Sequence, residues 1–211
     1  MTFRQHLVAQ FMRPSGVLGR MAGYVMAHRA SNIGRNTWTL ELLSIQAEDR
    51  VLEIGFGPGI ALRQAAARAN MSIIVGIDHS EVMCEQASHR NARSIEAGYM
   101  QLYQGTIADL PDFSRGFNKI YSANVVQFWS DPVVEFTSIR KLMAPEGLIA
   151  TTFMPRNARP TKADVQRMAD KIVQALEESG FTGIKPVTKT FGSIDAVCVL
   201  ARKCTDLGFS S

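Results

Sequence analysis

Apolar positions along the chain change period several times, and the changes divide it into helix-forming and strand-forming stretches. Near the start, Phe11, Met12, Val17, Leu18, Met21, Val25 and Met26 recur close to helical spacing, with Pro14, Ser15 and Gly16 breaking the run. This predicts two or three short helices before the first strand. Val51–Ile54 then reads as a short apolar strand, Ile60–Ala69 as a helix rich in alanine, leucine and arginine, and Ser72–Ile77 as a second strand. Further strands are predicted near Met100–Tyr103 and Lys119–Tyr121, followed by a helix over Val133–Leu142, a turn at Ala144–Gly147 and a fifth strand over Leu148–Phe153. Val165, Met168, Ile172, Val173 and Leu176 mark the apolar face of a helix from about Lys162 to Glu178, which stops at Ser179-Gly180. Two last strand-like runs, Ile184–Phe191 and Ala196–Arg202, are joined by Gly192-Ser193 and are expected to be antiparallel neighbours.

Strands alternating with helices from Arg50 onward predict an α/β fold built on a mostly parallel sheet with right-handed crossovers. The chain has 211 residues, 46% hydrophobic and 20% charged, which suits one ordinary globular domain with a sizeable core. The expected organisation is a helical extension over 1–45, one α/β domain over 46–203 and a short tail over 204–211. Cys84, Cys198 and Cys204 are odd in number and have no histidines at ligand spacing, so neither a disulfide framework nor a metal site is expected. The first ten residues lack the apolar core of a secretory signal, and no apolar run approaches the roughly 18 residues of a spanning helix. A cytoplasmic location is expected.

Charge adds one local feature. The net charge of +4 is too mild to indicate nucleic acid. Its distribution is uneven: between Met1 and Leu40 stand Arg4, Arg13, Arg20, Arg29 and Arg35 and no acid.

The densest chemistry lies at Val51-Leu52-Glu53-Ile54-Gly55-Phe56-Gly57-Pro58-Gly59, a buried strand that runs into a glycine-rich turn before a helix. Glycines permit positive φ and close approach of backbone to ligand, and open α/β sheets bind ligands at the carboxyl ends of their strands. Two details disfavour a dinucleotide: Ile60 stands where the fingerprint wants its last glycine, and Pro58 removes an amide from a turn that would otherwise cradle pyrophosphate. Glu53 would repel phosphates but suits a ligand carrying an ammonium and a sulfonium. Asp78 ends the second strand at about the 20-residue interval where an acid meets ribose hydroxyls. Asp78 or Ser80 can also cap the following helix, and the two roles are compatible.

Together these residues resemble the class I S-adenosylmethionine-dependent methyltransferase superfamily over roughly Arg50 to Ala201. Glu53–Gly59 resembles its first motif, Gly76-Ile77-Asp78-His79-Ser80 its ribose-binding strand end, and Gly105–Pro111 its adenine-contacting segment. Phe117–Trp129 resembles the fourth strand with the loop that touches the methionine part, and Leu142–Gly147 the turn before the fifth strand. The resemblance implies a Rossmann-like seven-stranded sheet with an antiparallel last strand, S-adenosylmethionine as cofactor, and contacts from Glu53, Gly55, Phe56, Gly57, Pro58, Gly59, Asp78, His79, Met83, Thr106, Ile107, Asn124 and Val125. Thr106 departs from the aspartate that members often carry there, which leaves Asp109, a backbone carbonyl or water to hold the adenine amino group.

Methyl transfer from a sulfonium needs positioning above all, and orientation can supply roughly 7 to 11 kcal/mol against about 3 to 5 for a general base. The motif of nucleic-acid amino methylation is absent at Asn124-Val125-Val126-Gln127, and no cysteine follows a proline. The expected acceptor is therefore a small molecule, with no nucleic acid. A phospholipid N-methyltransferase with a basic membrane-surface helix and a non-catalytic S-adenosylmethionine-binding protein are the alternatives. Gln5–Arg35 is expected to form a lid over the cofactor, with Tyr24 and His28 as its titratable candidates for catalysis.

Overall fold

The computed structural model describes residues 30–156 and 159–204; Tyr24, His28 and the lid before residue 30 lie outside them. The elements run α1 (Ala30–Leu43), β1 (Val51–Ile54), α2 (Ile60–Ala66), β2 (Ile74–Asp78), α3 (Glu81–Glu96), β3 (Met100–Gln104), β4 (Phe117–Ala123), α4 (Pro132–Leu142), β5 (Met143–Phe153), α5 (Lys162–Glu178), β6 (Thr182–Phe191) and β7 (Ile194–Arg202). One-turn 3₁₀ segments at Ile107–Asp109 and Val126–Phe128 follow β3 and β4.

The seven strands form one sheet in the order β3-β2-β1-β4-β5-β7-β6. All neighbours are parallel except where β7 inserts antiparallel between β5 and β6. This is the Rossmann-like arrangement expected, and the last strand runs against the rest as foreseen. Strand order reverses between β1 and β4, so the chain leaves these neighbours in opposite directions and a crevice opens above their carboxyl ends.

Side chains alternate across the strands, and the alternation divides the core into two layers. Leu52, Ile54, Val75, Ile77, Ile120 and Ile149 pack against α4 and α5 through Phe136, Ile139, Ile172 and Leu176. Val51, Ile74, Tyr121 and Ala150 face the other way, toward Trp38, Leu40 and Leu43 of α1 and Leu62 and Ala65 of α2. Because both faces are covered, the central strands are largely apolar, with Glu53 and Ser122 as buried polar exceptions.

The part of the expected extension that the structure describes, α1, is thus one cover of the sheet. A buried chain of hydroxyls fastens it. Thr39 Oγ1 lies 2.7 Å from Thr152 Oγ1 of β5 and donates to the Arg35 carbonyl at 3.0 Å. A hydroxyl has one hydrogen, so Thr152 is the donor to Thr39. Trp38 meets Phe191 of β6 edge to face at 5.7 Å.

Two sequence readings need correction. Helix α2 ends at Ala66, with a turn where the sequence suggested helix to Ala69. The predicted Ala144–Gly147 turn lies inside β5 as a bulge: Phe117 pairs with Met143, but Lys119 pairs with Leu148. Glu146 at φ +59 makes the excursion, and exchange of backbone bonds with Lys203 (Glu146 N to Lys203 O and Lys203 N to Gly147 O, both 3.0 Å) keeps it within the sheet. Among the described residues, no helix is long and apolar enough to cross a membrane.

The threonine pair yields a stability prediction. Thr39→Val leaves the Thr152 hydroxyl buried without its acceptor and is expected to cost about 1 to 3 kcal/mol in urea denaturation. Adding Thr152→Val should recover part of that loss, so that the two substitutions together cost less than their sum.

Candidate active site

A cavity of about 500 Å³ occupies the crevice above the β1–β4 reversal. It is lined by Glu53, Gly55, Phe56, Gly57 and Pro58 from the end of β1 and the glycine turn, and by Asp78, His79 and Met83 from β2 and α3. Thr106 and Ile107 line it after β3, and Asn124 and Val125 after β4. The fold thereby brings together twelve of the thirteen residues singled out in the sequence.

Gly59 is the exception. It does not line the cavity. It sits at φ +76 at the start of α2, where an added Cβ would fall 2.7 Å from the Ala87 Cβ and 2.7 Å from Asn91 Nδ2. Its glycine is demanded by close packing of the turn on α3. Gly55 (φ +69) is also demanded by packing, since a Cβ there would meet Val125 Cγ2 at 2.4 Å. Gly57 (φ +53) differs: nothing lies within 4 Å of the Cβ position.

Asp78 joins the turn to β2. Its Oδ2 accepts from Gly57 N at 2.8 Å and its Oδ1 from Ser80 N at 3.0 Å, while the His79 ring lies 3.8 Å away. Helix α3 is capped by the Ser80 hydroxyl, which accepts from Met83 N at 3.4 Å, so the cap is Ser80 and the Asp78 carboxylate is not spent on it. A carboxylate has about four lone-pair sites, so two of these remain. Burial raises the Asp78 pKa, opposed by the two amides and by His79.

Glu53 is buried at the end of β1 and accepts from the Tyr121 hydroxyl at 2.7 Å. Their pairing follows from register, because Glu53 stands directly opposite Tyr121 on the neighbouring parallel strand. Burial pushes the Glu53 carboxyl up to about 8; the Tyr121 bond opposes this, and Asp78 adds to it. Arg35, also buried and lining the cavity, is lowered to about 9 by burial and by Arg156, with Glu53 opposing.

At the far end, Thr106 donates both its amide and its hydroxyl to Asp109 Oδ2 at 2.8 Å. This bond pulls the Asp109 pKa down, and Asp109 is outside the cavity lining. Asn124 takes positive φ (+59) and spends its side chain on β5: Nδ2 donates to Met154 O and Oδ1 accepts from Met154 N, both at 2.8 Å. Its backbone amide donates to Thr152 O at 2.8 Å and its carbonyl accepts from Gln127 Nε2 at 2.9 Å, which leaves one carbonyl lone pair.

The cavity also takes in Asn32, Arg35 and Asn36 of α1, Phe128, Trp129 and Ser130 after β4, Glu135 of α4, and Arg156 after β5. Of these, only Phe128 and Trp129 stood in a segment the sequence singled out for cofactor contact, the loop after the fourth strand. For α1 a signal existed: Asn32, Arg35 and Asn36 stand at i, i+3 and i+4, one face of a helix. For Glu135 and Arg156 none did, since only tertiary packing brings their elements to the crevice.

Comparison with known proteins agrees with this geometry. A family described as a methyltransferase domain matches residues 51–147. The uncharacterized methyltransferase YdaC of Bacillus subtilis is 31% identical over 183 residues, covering 87% of this chain and 98% of that one. Trans-aconitate 2-methyltransferase of Yersinia pseudotuberculosis is 26% identical over 147 residues, 68% of this chain and 54% of that protein. The crystal structure of the N-methyltransferase NodS from Bradyrhizobium japonicum in complex with S-adenosyl-L-homocysteine matches with a TM-score of 0.66 at 20% identity, over 84% of this chain and 89% of that one.

Two predictions come from the glycines and from Glu53. Gly57→Ala should fold with a loss of about 1 to 2 kcal/mol from its left-handed backbone, whereas Gly59→Ala adds a clash with α3 and should cost clearly more; urea denaturation of both variants compares them. For Glu53 the folded pKa, about 8, lies above its ordinary 4.5. The folded state therefore holds a proton that the unfolded state has released, so stability falls as pH rises from about 4.5 to 8, by on the order of 1.4 kcal/mol per pH unit. Glu53→Gln keeps an acceptor for Tyr121 and should remove that share of the slope in denaturation curves at pH 5 and pH 8.

Proposed function

Since the chain belongs to the class I S-adenosylmethionine-dependent methyltransferase superfamily, we propose that it methylates a small-molecule acceptor bound beside the cofactor in the β1–β4 cavity. The observation that carries this reading is the cavity itself: at about 500 Å³ it lies within the range of small-molecule sites, roughly 300 to 1,000 Å³. Similarity to trans-aconitate 2-methyltransferase, whose name specifies a small acceptor, supports the same choice.

The residues present fit the cofactor. Gly57 leaves open space where any other residue would carry a Cβ, and Pro58 offers no amide for a phosphate. Asp78 would take the ribose hydroxyls on its remaining lone pairs. Met83 and Ile107, both buried, would flank the adenine. Glu53 and the Asn124 backbone would meet the methionine ammonium. With Thr106 and Asp109 bonded to each other, the adenine amino group falls to a backbone carbonyl or water.

When bound, the cofactor supplies an activated methyl group on a positive sulfur. The chain's own part is to orient and to exclude water. Phe128, Trp129 and Ser130 form an acceptor wall, and Trp129 is held in place by edge-to-face contact with Phe136 at 5.1 Å. Glu135, whose pKa is raised by partial burial and by Asp131, is the carboxylate of that wall to which an acceptor proton can pass. The lid and membrane-surface readings rest mainly on residues 4–29, outside the described residues.

Titration calorimetry should detect S-adenosyl-L-homocysteine binding and no saturable NAD binding. Asp78→Asn, which removes part of the acceptor capacity, should weaken S-adenosyl-L-homocysteine about tenfold or more, as for a lost hydrogen bond to a charged group. Incubation with S-adenosylmethionine and separate panels of small acids, small amines and phosphatidylethanolamine vesicles tests the acceptor. Turnover confined to the vesicles would refute the small-molecule reading.

A further inference from the structure

Arg35 is 4% exposed on α1 and lines the cavity. Its hydrogen-bond acceptors are neutral: Nη2 and Nε donate to Asn36 Oδ1 at 2.9 and 3.3 Å, and Nη1 to Asn32 Oδ1 at 3.4 Å. Removing a guanidinium from water costs several kcal/mol, and buried charges are ordinarily paired with an opposite one. Among the described residues, no carboxylate forms an ion pair with Arg35. Glu53 lines the same cavity and its charge favours that of Arg35, but the two do not form an ion pair. Arg156, which also lines the cavity, adds positive charge. Residues 1–29, which precede α1, contain no aspartate or glutamate. The chain around Arg35 thus supplies neutral hydrogen-bond acceptors but no anion in contact with the guanidinium, which a ligand can bring.

We infer that Arg35 holds the carboxylate of the cofactor's amino-acid end, an inference that rests on the proposed reading of the cavity. Three features select this anion. The guanidinium fork matches a carboxylate in a bidentate pair. Arg35 lines the cavity together with Glu53 at the end of β1, where the ammonium of the same amino-acid end would meet an acid. Pro58 and Asp78 make the opposite part of the cavity unsuited to an anion. Asn32 and Asn36, one turn before Arg35 and next to it, then act as positioning residues: their side-chain oxygens take up the guanidinium hydrogens on one side and aim the rest.

The experiment is titration calorimetry of the wild-type chain, Arg35→Gln and Arg35→Lys with two ligands. S-adenosyl-L-homocysteine has the amino-acid end; 5'-methylthioadenosine has the same adenosine and thioether without it. For Arg35→Gln, affinity for S-adenosyl-L-homocysteine is expected to fall about 10- to 150-fold while that for 5'-methylthioadenosine stays unchanged, and Arg35→Lys should recover part of the loss. Cooperative thermal melting establishes that each variant folds, and Arg35→Lys carries the test if Arg35→Gln does not. Equal losses for both ligands overturn the inference, because they report a collapsed pocket. Unchanged S-adenosyl-L-homocysteine affinity also overturns it, and with a raised KM for an acidic acceptor moves the carboxylate to the acceptor. A wild-type chain that binds neither ligand overturns the cofactor reading itself, so the two failures are distinguishable.

Discussion

A parallel sheet whose strand order reverses cannot cover the junction where it does so. Helices that return from β1 and from β4 diverge to opposite faces, and the space above the strand ends is left for a ligand. Everything that characterises the site follows from this opening between β1 and β4. The glycine turn stands on one side of it, the loop through Asn124 on the other, and Val125 against Gly55 sets how closely the two approach. The cavity is part of the topology, with its chemistry added by the residues that end the strands.

That chemistry is governed by desolvation. Glu53, Asp78 and Arg35 are each nearly withdrawn from water, and in each case burial is the largest influence on the titrating group. The chain answers with directed hydrogen bonds more than with ion pairs: Tyr121 on Glu53, two backbone amides on Asp78, two asparagines on Arg35. Fixed dipoles of this kind hold charged groups in place before a ligand arrives, which is the condition for positioning to contribute to a transfer reaction. They also make each group sensitive to its neighbour, since in a cavity of low polarity a nearby charge is poorly screened.

The three turn glycines look alike in the sequence and differ in the structure. Gly55 lets the β1 turn meet the β4 loop, Gly57 faces open space, and Gly59 lets α2 start against α3. A motif read as one binding loop is thus two packing contacts around a single open position. Asp78 shows the reverse. Read as a ligand contact that could also cap, it does not cap: its carboxylate ties Gly57 to β2 and to Ser80, and Ser80 caps the helix.

Local pattern alone determined most of the elements, because strand and helix periods and the glycine stops act over a few residues; the mostly parallel sheet and the acids at the ends of β1 and β2 followed. The long-range partners were decided only by tertiary structure. Nothing near Arg35 in the sequence indicates Glu53 or Arg156; α1 meets them because Thr39, Trp38 and Leu43 lock that helix onto β5, β6 and the sheet face. Glu135 enters the same cavity because α4 starts directly after the loop that carries Trp129. The physical reason is one of range: a hydrogen-bonded turn is written in neighbouring residues, whereas burial and the charges it perturbs depend on which distant surfaces exclude water from one another.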